Sequence, residues 1–252
     1  ERTALNRQIL NVSAIESTDW SIAKASWYGP PNGAGTDGGA CGYKSAVGKF
    51  PFSSMVSSGG PSLFKSGQGC GDCYEVKCTS NAACSQKPVT ILISDECPGC
   101  VSESAHFDMS GTAFGAMAIS GKADQLRNVG VFHVQYRRTE CNYPGQTPLT
   151  TSSIKFRIDA GANPYYFSTV VEYLNGDGNL ASMELEEASN KDTWHQMDRL
   201  RGAVWKLNSG SELKGPFSIR MKAADCGKVL VASNVIPVGW KPGDIYWSHV
   251  NY

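Results

Sequence analysis

Apolar and polar residues alternate over many short stretches of this chain, which is the pattern of β-strands with one face turned to a core. The alternation is clearest in residues 154–158 and 217–221. Similar stretches rich in β-branched and aromatic residues predict further strands. The predicted strands cover residues 22–28, 74–78, 89–94, 131–138, 154–158, 167–173, 180–185, 203–207, 217–221 and 229–234. A short helix is predicted over residues 110–117, with Ser110 as its N-cap. The chain is therefore expected to be all-β.

The character of the sequence changes along the chain and divides it into four segments. Residues 1–18 have mixed polarity without a period and are interpreted as an N-terminal extension. Residues 19–141 are dense in glycine and cysteine and predict a small β-barrel. Residues 142–153 combine proline, glycine and hydroxyl residues and are typical of a linker. Residues 154–252 hold six predicted strands, which indicate an antiparallel β-sandwich.

A turn motif, Asn175-Gly176-Asp177-Gly178, lies between two predicted strands of the second domain. Asn-Gly and Asp-Gly pairs adopt the positive φ angles of tight hairpin turns. We therefore predict that the strands on either side of this segment pair as a β-hairpin.

The charge balance argues against several classes of partner. The 252 residues carry 23 Lys and Arg against 23 Asp and Glu. The balance also holds locally, with 10 bases and 10 acids in residues 19–141 and 11 of each in residues 142–252. A strongly basic face is therefore not expected, which argues against nucleic acid or an anionic membrane as the partner. No run of about 18 apolar residues is present, so no transmembrane helix is predicted. A neutral partner fits better.

Several features are typical of a secreted protein. Charged residues make up only 18% of the chain, and Gly, Ser, Thr and Asn are plentiful. The chain begins at Glu1 without a methionine or an apolar leader, so we expect that a signal peptide has been removed. Asn11 begins an Asn-Val-Ser sequon and is a candidate glycosylation site.

Nine cysteines include two Cys-x-x-Cys pairs, at Cys70 and Cys73 and at Cys97 and Cys100. Two such pairs are also the ligand pattern of a zinc ribbon. The 23-residue gap between the pairs exceeds the roughly 15–20 residues of such ribbons, and too many other cysteines lie nearby. A disulfide framework is therefore favoured over zinc. The odd total leaves at least one thiol unpaired, and Cys226, isolated in the second half, is the candidate.

Two acids lie near the ends of predicted elements in the first domain. Asp108, in the segment His106-Phe107-Asp108, precedes the predicted helix, and Asp95 ends a predicted strand. Such a pair can act as general acid and general base. Both acids also have an ordinary structural interpretation, because aspartates frequently cap helices and begin turns.

Aromatic residues are the other candidates for contact with a ligand. Trp27 and Tyr28 are adjacent on a predicted strand and point to opposite faces, so at most one can face a given groove. In the second domain, Trp205 lies in an apolar run and is predicted to be core. The remaining aromatics there are candidates for stacking against the C–H-rich faces of sugars. They are Tyr165, Tyr166, Trp194, Trp240 and Trp247.

Four motifs of the first domain occur in the order and spacing of plant β-expansins, a family that includes the group 1 grass pollen allergens. They are Ser26-Trp27-Tyr28-Gly29, Gly38-Gly39-Ala40-Cys41-Gly42, Cys70-Gly71-Asp72-Cys73-Tyr74-Glu75-Val76, and the segment from His106 to Gly115. Residues 214–218 and 234–237 of the second domain agree as well. The chain resembles this family over residues 19–252.

The resemblance implies the fold and a set of disulfides. The first domain would be similar to a family-45 glycoside hydrolase, a six-stranded double-psi β-barrel. An immunoglobulin-like β-sandwich that binds polysaccharide would follow. The implied disulfides are Cys41 with Cys70, Cys73 with Cys141, and Cys78 with Cys84. Cys97 and Cys100 are extra to that set and are candidates for a bond to each other.

The resemblance also implies a polysaccharide-binding groove in the first domain. Its residues correspond to Ser26, Trp27, Tyr28, Asp37, Asp95, His106 and Asp108. Asp108 matches the general acid of the related hydrolases, whereas Gly29 takes the place of their base. Inverting hydrolysis needs two carboxyl groups about 6.5–9.5 Å apart. The groove is therefore expected to bind glycan without cutting it.

In the second domain the resemblance implies a sugar-stacking surface. Tyr166 matches a platform aromatic of the family, and Trp194 is a further candidate. Arg201 stands where the family usually has a tryptophan. An arginine can lie flat against a sugar and hydrogen-bond to its hydroxyls, but it offers less apolar contact. Binding by this surface is expected to be weaker or shifted in specificity.

These inferences predict a secreted, monomeric protein of the plant cell wall that acts without a cofactor or a metal. It would bind cellulose and matrix polysaccharides such as xylan and disrupt their non-covalent association, so that the wall extends. Two alternatives stay open. One is a carbohydrate-binding, allergen-like protein without loosening activity. The other is a weak glycanase with Asp108 as acid and Asp95 as base.

Overall fold

A computed structural model describes residues 19–101, 103–145 and 151–252. The predicted N-terminal extension, with the sequon at Asn11, lies outside the described residues, and so does part of the predicted linker. The fold class is confirmed, because the described chain forms a closed six-stranded barrel followed by two packed β-sheets.

Six strands close into a barrel in the first half of the chain. They are β1 (Ser21–Tyr28), β2 (Val56–Gly59), β3 (Cys73–Lys77), β4 (Val89–Glu96), β5 (His106–Ser110) and β6 (Phe132–Thr139). Their order around the barrel is β1-β5-β2-β4-β3-β6, and β6 pairs with β1 to close it. The β1–β5 and β2–β4 pairs are parallel, and the other pairs are antiparallel. The barrel brings together strands that are distant in sequence.

Short helices lie outside the barrel. They are α1 (Pro61–Phe64), α2 (Gly111–Ala116) and α3 (Ala123–Val129), with 3-10 turns at Lys44–Gly48 and Lys65–Gly67. The predicted helix is α2, and the Ser110 hydroxyl accepts a hydrogen bond from the amide of Ala113 at 3.0 Å, which confirms the N-cap. Sequence reasoning missed α1, α3, β2 and β5, because each is too short to show a period.

Alternation along β5 separates the barrel core from the functional face. Phe107 and Met109 are fully buried, and their rings and thioethers fill the barrel, whereas His106 and Asp108 point the other way and are partly exposed. On β1 the small side chain of Ala25 is fully buried on the core side. The pleat therefore directs every second side chain of these strands away from the core.

Nine strands form the β-sandwich of the second domain. They are β7 (Lys155–Ile158), β8 (Tyr166–Glu172), β9 (Leu180–Glu187), β10 (His195–Gln196), β11 (Asp198–Arg201), β12 (Val204–Asn208), β13 (Phe217–Ala223), β14 (Val229–Ile236) and β15 (Ile245–Trp247). One sheet has the order β10-β9-β13-β14, and the other has the order β11-β12-β8-β7-β15. Phe156, Phe167 and Phe217 are fully buried between the two sheets.

The hairpin prediction is wrong. The turn motif at residues 175–178 joins β8 to β9, and these strands belong to different sheets. Its backbone is used elsewhere, because Gly176 forms an isolated β-bridge with Cys141. The Asp177 carboxylate accepts hydrogen bonds from the amides of Asp225 and Cys226, both at 2.8 Å. The turn residues therefore serve a crossover between sheets and a contact with the barrel domain.

The two domains share one apolar cluster. Val170, Tyr173 and Val204 of the sandwich belong to the same buried cluster as the barrel core. The ring of Phe52 packs edge-on against that of Tyr173, with 4.7 Å between centroids. The amide of Ala203 donates to the carbonyl of Cys41 at 3.0 Å. Apolar packing and backbone hydrogen bonds together hold the domains in a defined orientation.

Four disulfides are present in the described residues. They join Cys41 to Cys70, Cys73 to Cys141, Cys78 to Cys84, and Cys97 to Cys100. The first three are the pairs that the resemblance implies, and the fourth is the candidate extra bond. Cys226 carries a free, exposed thiol.

Candidate functional site

A row of polar residues crosses four neighbouring strands of the barrel. In the register of the sheet, Ser26 of β1 lies opposite Asp108 of β5, which lies opposite Ser58 of β2. Ser58 in turn lies opposite Asp95 of β4. Neighbouring strands are about 4.8 Å apart, so the Asp95 and Asp108 backbones are separated by about 10 Å. The barrel thus gathers residues from four segments into one candidate groove.

Ser26 connects His106 to Asp108. Its hydroxyl donates to Oδ1 of Asp108 at 2.8 Å and lies 2.8 Å from Nε2 of His106. A hydroxyl has only one proton, so Nε2 of His106 must be the donor in the second contact. The neutral ring then carries its proton on Nε2, and the buried Nδ1 has no hydrogen-bond partner among the described residues. His106 therefore donates to the Ser26 oxygen, and Ser26 in turn donates its hydroxyl hydrogen to the carboxylate of Asp108.

Burial tunes the charge of His106. Loss of solvent lowers the pKa of the ring below its ordinary value, and this effect outweighs the opposing attraction of Asp108. Lys24 adds a smaller lowering effect. His106 is therefore held as a neutral hydrogen-bond donor rather than as an imidazolium cation.

Tyr28 lines the same face, one pleat beyond Ser26. Its hydroxyl donates to Oδ2 of Asp95 at 3.4 Å. Burial is the main cause that raises the pKa of Tyr28 to about 12, and the nearby carboxylates of Asp95 and Asp108 contribute. A hydrogen bond with the side chain of Ser58 acts in the opposite direction. The phenol stays protonated and can act as a donor in the groove.

Asp95 uses its carboxylate to hold a loop. Oδ1 accepts hydrogen bonds from the amides of Ala40 and Glu96, both at 2.8 Å. A Cβ atom on Gly39 would lie 2.7 Å from the carbonyl oxygen of Ser94, so only glycine allows this close approach. These contacts favour the structural interpretation of Asp95 over a role as a freely available base.

Gly29 explains why the groove has no carboxylate at the place of the hydrolase base. Its φ angle is +73°, a conformation that side chains rarely adopt. A Cβ atom there would lie 2.4 Å from the carbonyl oxygen of Gly35. An aspartate at position 29 would therefore require the loop to be rebuilt.

Two other predicted groove residues lie apart from this cluster. Trp27 points to the opposite side of β1, where its indole N–H donates to the carbonyl of Arg127 at 3.0 Å and its ring packs near Phe114. Asp37 is exposed in the loop that leads to Gly39. The structure brings together Ser26, Tyr28, Asp95, His106 and Asp108, but not Trp27 or Asp37.

Sequence reasoning missed Ser58. The residue is buried, and it lies between the two acids in the sheet register. Its strand has only four residues and ends in glycine, so no period marks it as a strand. The only sequence signal was a pair of serines within a stretch without charge.

The Cys97–Cys100 disulfide lies beside the groove. The amide of Cys97 donates to the carbonyl of Gly59 at 2.9 Å. A Cβ atom on Gly60 would lie 3.3 Å from Cβ of Cys100 and 3.5 Å from that of His106. The bridged loop therefore packs against the backbone that supports His106.

Tyr166 and Arg201 lie on the outer face of the five-stranded sheet. Phe167, next to Tyr166, and Trp205, next to Val204, belong to the core between the two sheets. Alternation therefore points Tyr166 and Val204 to the outer face, and Arg201 pairs with Val204. Tyr166 pairs with Asn208 of β12, four residues from Val204, which corresponds to about 13 Å along the strand. The Arg201 side chain is 53% exposed and lies 4.0 Å from Asp159.

A glycine loop joins this face to the groove. A Cβ atom on Gly42 would lie 2.7 Å from a methyl group of Val204 and 3.9 Å from Nε of Arg201. Two residues earlier, Ala40 is hydrogen-bonded to Asp95. The loop therefore contacts both the Asp95 side of the groove and the Arg201 side of the second domain.

The structure places Trp194 apart from Tyr166 and Arg201. Trp194 precedes β10 of the other, four-stranded sheet, and its ring lies over the Arg220 guanidinium at 4.4 Å. Alternation does not determine which sheet a strand joins, so no local pattern separates Trp194 from the other two residues.

The other aromatics of the second domain have mixed roles. Trp205 is core, as predicted, with 5% of its surface exposed. Trp240 packs edge-on against Phe167 at 5.3 Å, and Trp247 stacks on Tyr173 at 6.0 Å. Both therefore contribute to packing.

In the described part of the chain, no group of three or more His, Cys, Asp or Glu side chains is placed to hold a metal ion. Among the same residues, no helix is long and apolar enough to cross a membrane.

The fold and groove define a class of protein that combines a hydrolase-like double-psi barrel with a β-sandwich. Two family models match the chain. The Expansin C-terminal domain covers residues 154–237, and a model described as lytic transglycolase covers residues 56–136. The chain is 55% identical to Expansin-B11 of Oryza sativa subsp. japonica, with 95% of this chain and 80% of the relative covered. It is 54% identical to Expansin-B4 of Arabidopsis thaliana, with 94% and 90% covered. The chain belongs to the expansin family.

Solved structures share the fold. The crystal structure of the apo expansin of Clavibacter michiganensis has a TM-score of 0.64 at 18% identity, with 91% of this chain and 96% of that chain covered. A single-substitution variant of the same protein, solved in complex with cellohexaose, has a TM-score of 0.65 with the same identity and coverage. At this identity the comparison supports the fold alone.

Proposed function

We propose that this chain is a secreted β-expansin, similar to the group 1 pollen allergens, that loosens plant cell walls without cutting their polymers. It binds cellulose and matrix glycans along the surface from Asp108 to Tyr166 and weakens their non-covalent adhesion. The protein acts as a monomer and needs no cofactor. The β-expansin designation of the relatives at 54–55% identity supports this assignment.

The arrangement around Gly29 and Asp108 is the observation that carries the proposal. Asp108 has the setting of a hydrolase acid, but the backbone at Gly29 leaves no room for a second carboxylate. Asp95 is already engaged by two backbone amides and Tyr28. One carboxylate can hydrogen-bond a glycan strongly, whereas inverting hydrolysis needs two.

The groove supplies both donors and acceptors for a neutral glycan. Asp108 accepts from sugar hydroxyls, while the Ser26–His106 pair holds that carboxylate in place. Tyr28 lies on the same face with its hydroxyl on Asp95. Tyr166 offers a ring for stacking, and Arg201 offers hydrogen bonds. The Clavibacter relative was solved in complex with cellohexaose, which makes a β-linked glucan the first ligand to test. Competition for these hydrogen bonds separates polymers that otherwise adhere to each other.

Creep of a clamped, heat-inactivated wall under constant load tests the mechanism. We expect the wild-type protein to extend the wall and Asp108→Asn to lose most of this activity, because an amide makes a weaker hydrogen bond than a carboxylate. Asp37→Asn, in an exposed loop away from the cluster, is the matched control and should extend the wall normally. Equal creep with Asp108→Asn would contradict the proposed role of the groove.

Release of reducing ends separates this function from the glycanase alternative. The same samples should show no steady release during creep. Release that is lost in Asp108→Asn would establish hydrolysis instead. Glycan binding without any creep would favour the binding-only alternative.

A pair of tryptophan and tyrosine variants tests which sheet holds the stacking surface. Tyr166→Ala should weaken adsorption to insoluble cellulose several-fold, because a stacked ring contributes on the order of 1 kcal/mol or more. Trp194→Ala should leave adsorption unchanged, since its ring lies on the other sheet. Depletion isotherms measure both. The assignment fails if Trp194→Ala weakens adsorption as much as Tyr166→Ala does.

A further inference from the structure

A second cavity opens between the two domains, away from the groove. Its volume is about 530 Å³, which is within the range of small-molecule sites. The barrel domain contributes Lys65, Gln68 and Asp72, and the sandwich contributes Asn179, Gln196 and Arg199. We refer to it as the junction cavity. Its wall is built from both domains, so the cavity exists only when they are docked.

A backbone contact separates the junction cavity from the groove. A Cβ atom on Gly202 would lie 2.5 Å from Cα of Cys41, and one on Gly67 would lie 3.3 Å from the amide nitrogen of Gly202. Arg201 lies beside Gly42 on the groove side of this contact. Arg199 lies on the cavity side. The two surfaces are therefore distinct.

Asp72 forms the floor of the junction cavity. It is 1% exposed, and its carboxylate lies 2.9 Å from Arg138 and 3.6 Å from Lys65. The side-chain amide of Asn179, from the other domain, donates to the same carboxylate. These contacts hold Lys65 and Asn179 at the cavity wall, where each keeps further hydrogen-bonding capacity.

Arg199 lines the opposite side of the junction cavity. Its guanidinium donates to the carbonyls of Leu180 and Gly202 and lies 4.6 Å from the centroid of Trp205. No carboxylate of the described residues forms an ion pair with it at 4.0 Å or less. A partly buried cation in this state favours a ligand that accepts hydrogen bonds.

The chemistry of the lining selects the class of ligand. The side chains at the wall include two cations, three carboxylates and three amides, so donors and acceptors are mixed and their charges nearly cancel. The charged and amide members are Lys65, Gln68, Asp72, Asn179, Gln196, Asp198, Arg199 and Asp225. A polyphosphate or a polyanion is disfavoured by the carboxylates, and a purely apolar ligand by the desolvation cost. A neutral polyhydroxylated molecule matches both donors and acceptors.

We propose that the junction cavity is a second glycan site, which binds the end or a short side branch of a neutral wall polysaccharide. The identity of the ligand rests on the proposed wall function, whereas the existence of the site does not. A sugar bound there contacts both domains at once. Occupancy therefore stabilises the docked arrangement of barrel and sandwich.

Amide NMR with short neutral oligosaccharides tests this proposal. Cellotriose, xylotriose and an arabinose-branched xylotriose are titrated into the full chain. We expect at least one of them to shift the backbone signals of Asn179, Leu180 and Gln196, which line the cavity. The proposal would be overturned if none of the sugars changed the chemical shifts of these three amides. It would also be overturned if only amides of the groove shifted.

Cavity-filling and charge variants complete the test. Ala181→Trp places a large ring at the exposed wall and should weaken binding at least tenfold. Ala188→Trp, at an exposed position just after the same strand and outside the cavity, should not weaken it. Lys65→Met keeps the side-chain length without the charge and should weaken binding at least threefold. Unchanged affinity in both cavity variants would overturn the site.

The wall assay distinguishes this proposal from the proposed function. If the wild type extends walls but the chemical shifts of the cavity amides do not change, only the proposed junction site is refuted. If the cavity binds sugar but no wall extends, the loosening function is wrong and the site stands.

Discussion

At the level of single residues, the character of the groove depends on the backbone at Gly29. Its positive φ and the close carbonyl of Gly35 exclude a side chain at the position where a second carboxylate would be needed. We expect Gly29→Ala to lower the free energy of unfolding by more than about 2 kcal/mol, because it adds both backbone strain and a steric clash. Denaturant unfolding measures this loss.

Gly38→Ala is the control for that substitution. Gly38 lies in the same loop, has no positive φ, and would place its Cβ 3.6 Å from the Thr36 hydroxyl, which is an ordinary contact. This variant should change stability by less than about 0.5 kcal/mol. Similar losses in the two variants would show that the loop, rather than the geometry of Gly29, sets the effect.

Individual residues also show how far sequence reasoning reached into the site. Asp108, His106 and Ser26 were identified through motifs, and the structure joins them by hydrogen bonds. Ser58 was missed, because its place between two acids results from strand pairing and not from any local pattern. Trp27 was included because the family resemblance implies it. Alternation allows only one of Trp27 and Tyr28 to face the groove, and the structure shows that Tyr28 is the one.

At the level of elements, disulfides compensate for long loops. The Cys41–Cys70 bond closes a 29-residue separation and supports the loop that contacts Gly202. Replacing both cysteines by alanine should lower the free energy of unfolding by about 3–4 kcal/mol, because the unfolded chain regains the loop entropy. Chemical unfolding under non-reducing conditions checks the value.

The Cys97–Cys100 bond provides the comparison for the stability loss expected without Cys41–Cys70. Its separation is only three residues, so the same treatment gives about 2 kcal/mol for its double alanine variant. The difference between the two double variants is the expected result. A larger loss for the short loop would indicate that native contacts near Gly60, rather than loop entropy, set its contribution.

The strands and turns also show how much of the fold local sequence patterns can predict. Nearly every strand of six or more residues was predicted within one or two positions. The hairpin between β8 and β9 was wrong, because the turn chemistry at residues 175–178 is local while sheet membership is not. The same limit applies to Trp194, because no local pattern shows which sheet lies beside it.

At the level of the whole molecule, the free energy of unfolding depends on pH through Asp72 at the domain junction. Burial raises the pKa of Asp72 to about 6 despite the opposing effects of Arg138 and Lys65, while Asp225 adds to the rise. The folded state therefore binds a proton more tightly than the unfolded state, so stability increases as pH falls from about 7 toward 4. We expect this group to add about 1–2 kcal/mol between pH 7 and pH 5.

Asp72→Asn isolates this contribution. The lowered pKa of His106 acts in the opposite direction, since the unfolded state takes up that proton first and stability falls as pH decreases. Comparing unfolding free energies of wild type and Asp72→Asn at each pH cancels the common effect of His106. A difference that does not change between pH 7 and pH 5 would refute the raised pKa.

Local patterns in the sequence were enough for the strands, the all-β class, the cysteine-rich barrel and the acid at Asp108. Alternation and turn chemistry act between residues a few positions apart, so they are readable along the chain. The tertiary structure decided which strands pair. Strand pairing places Ser58 between Asp95 and Asp108, and it places Trp194 beside the four-stranded sheet rather than the sheet that holds Tyr166. It also created the junction cavity, whose walls come from segments more than 100 residues apart. Such neighbours are set by packing and register over the whole chain, and no local pattern records them.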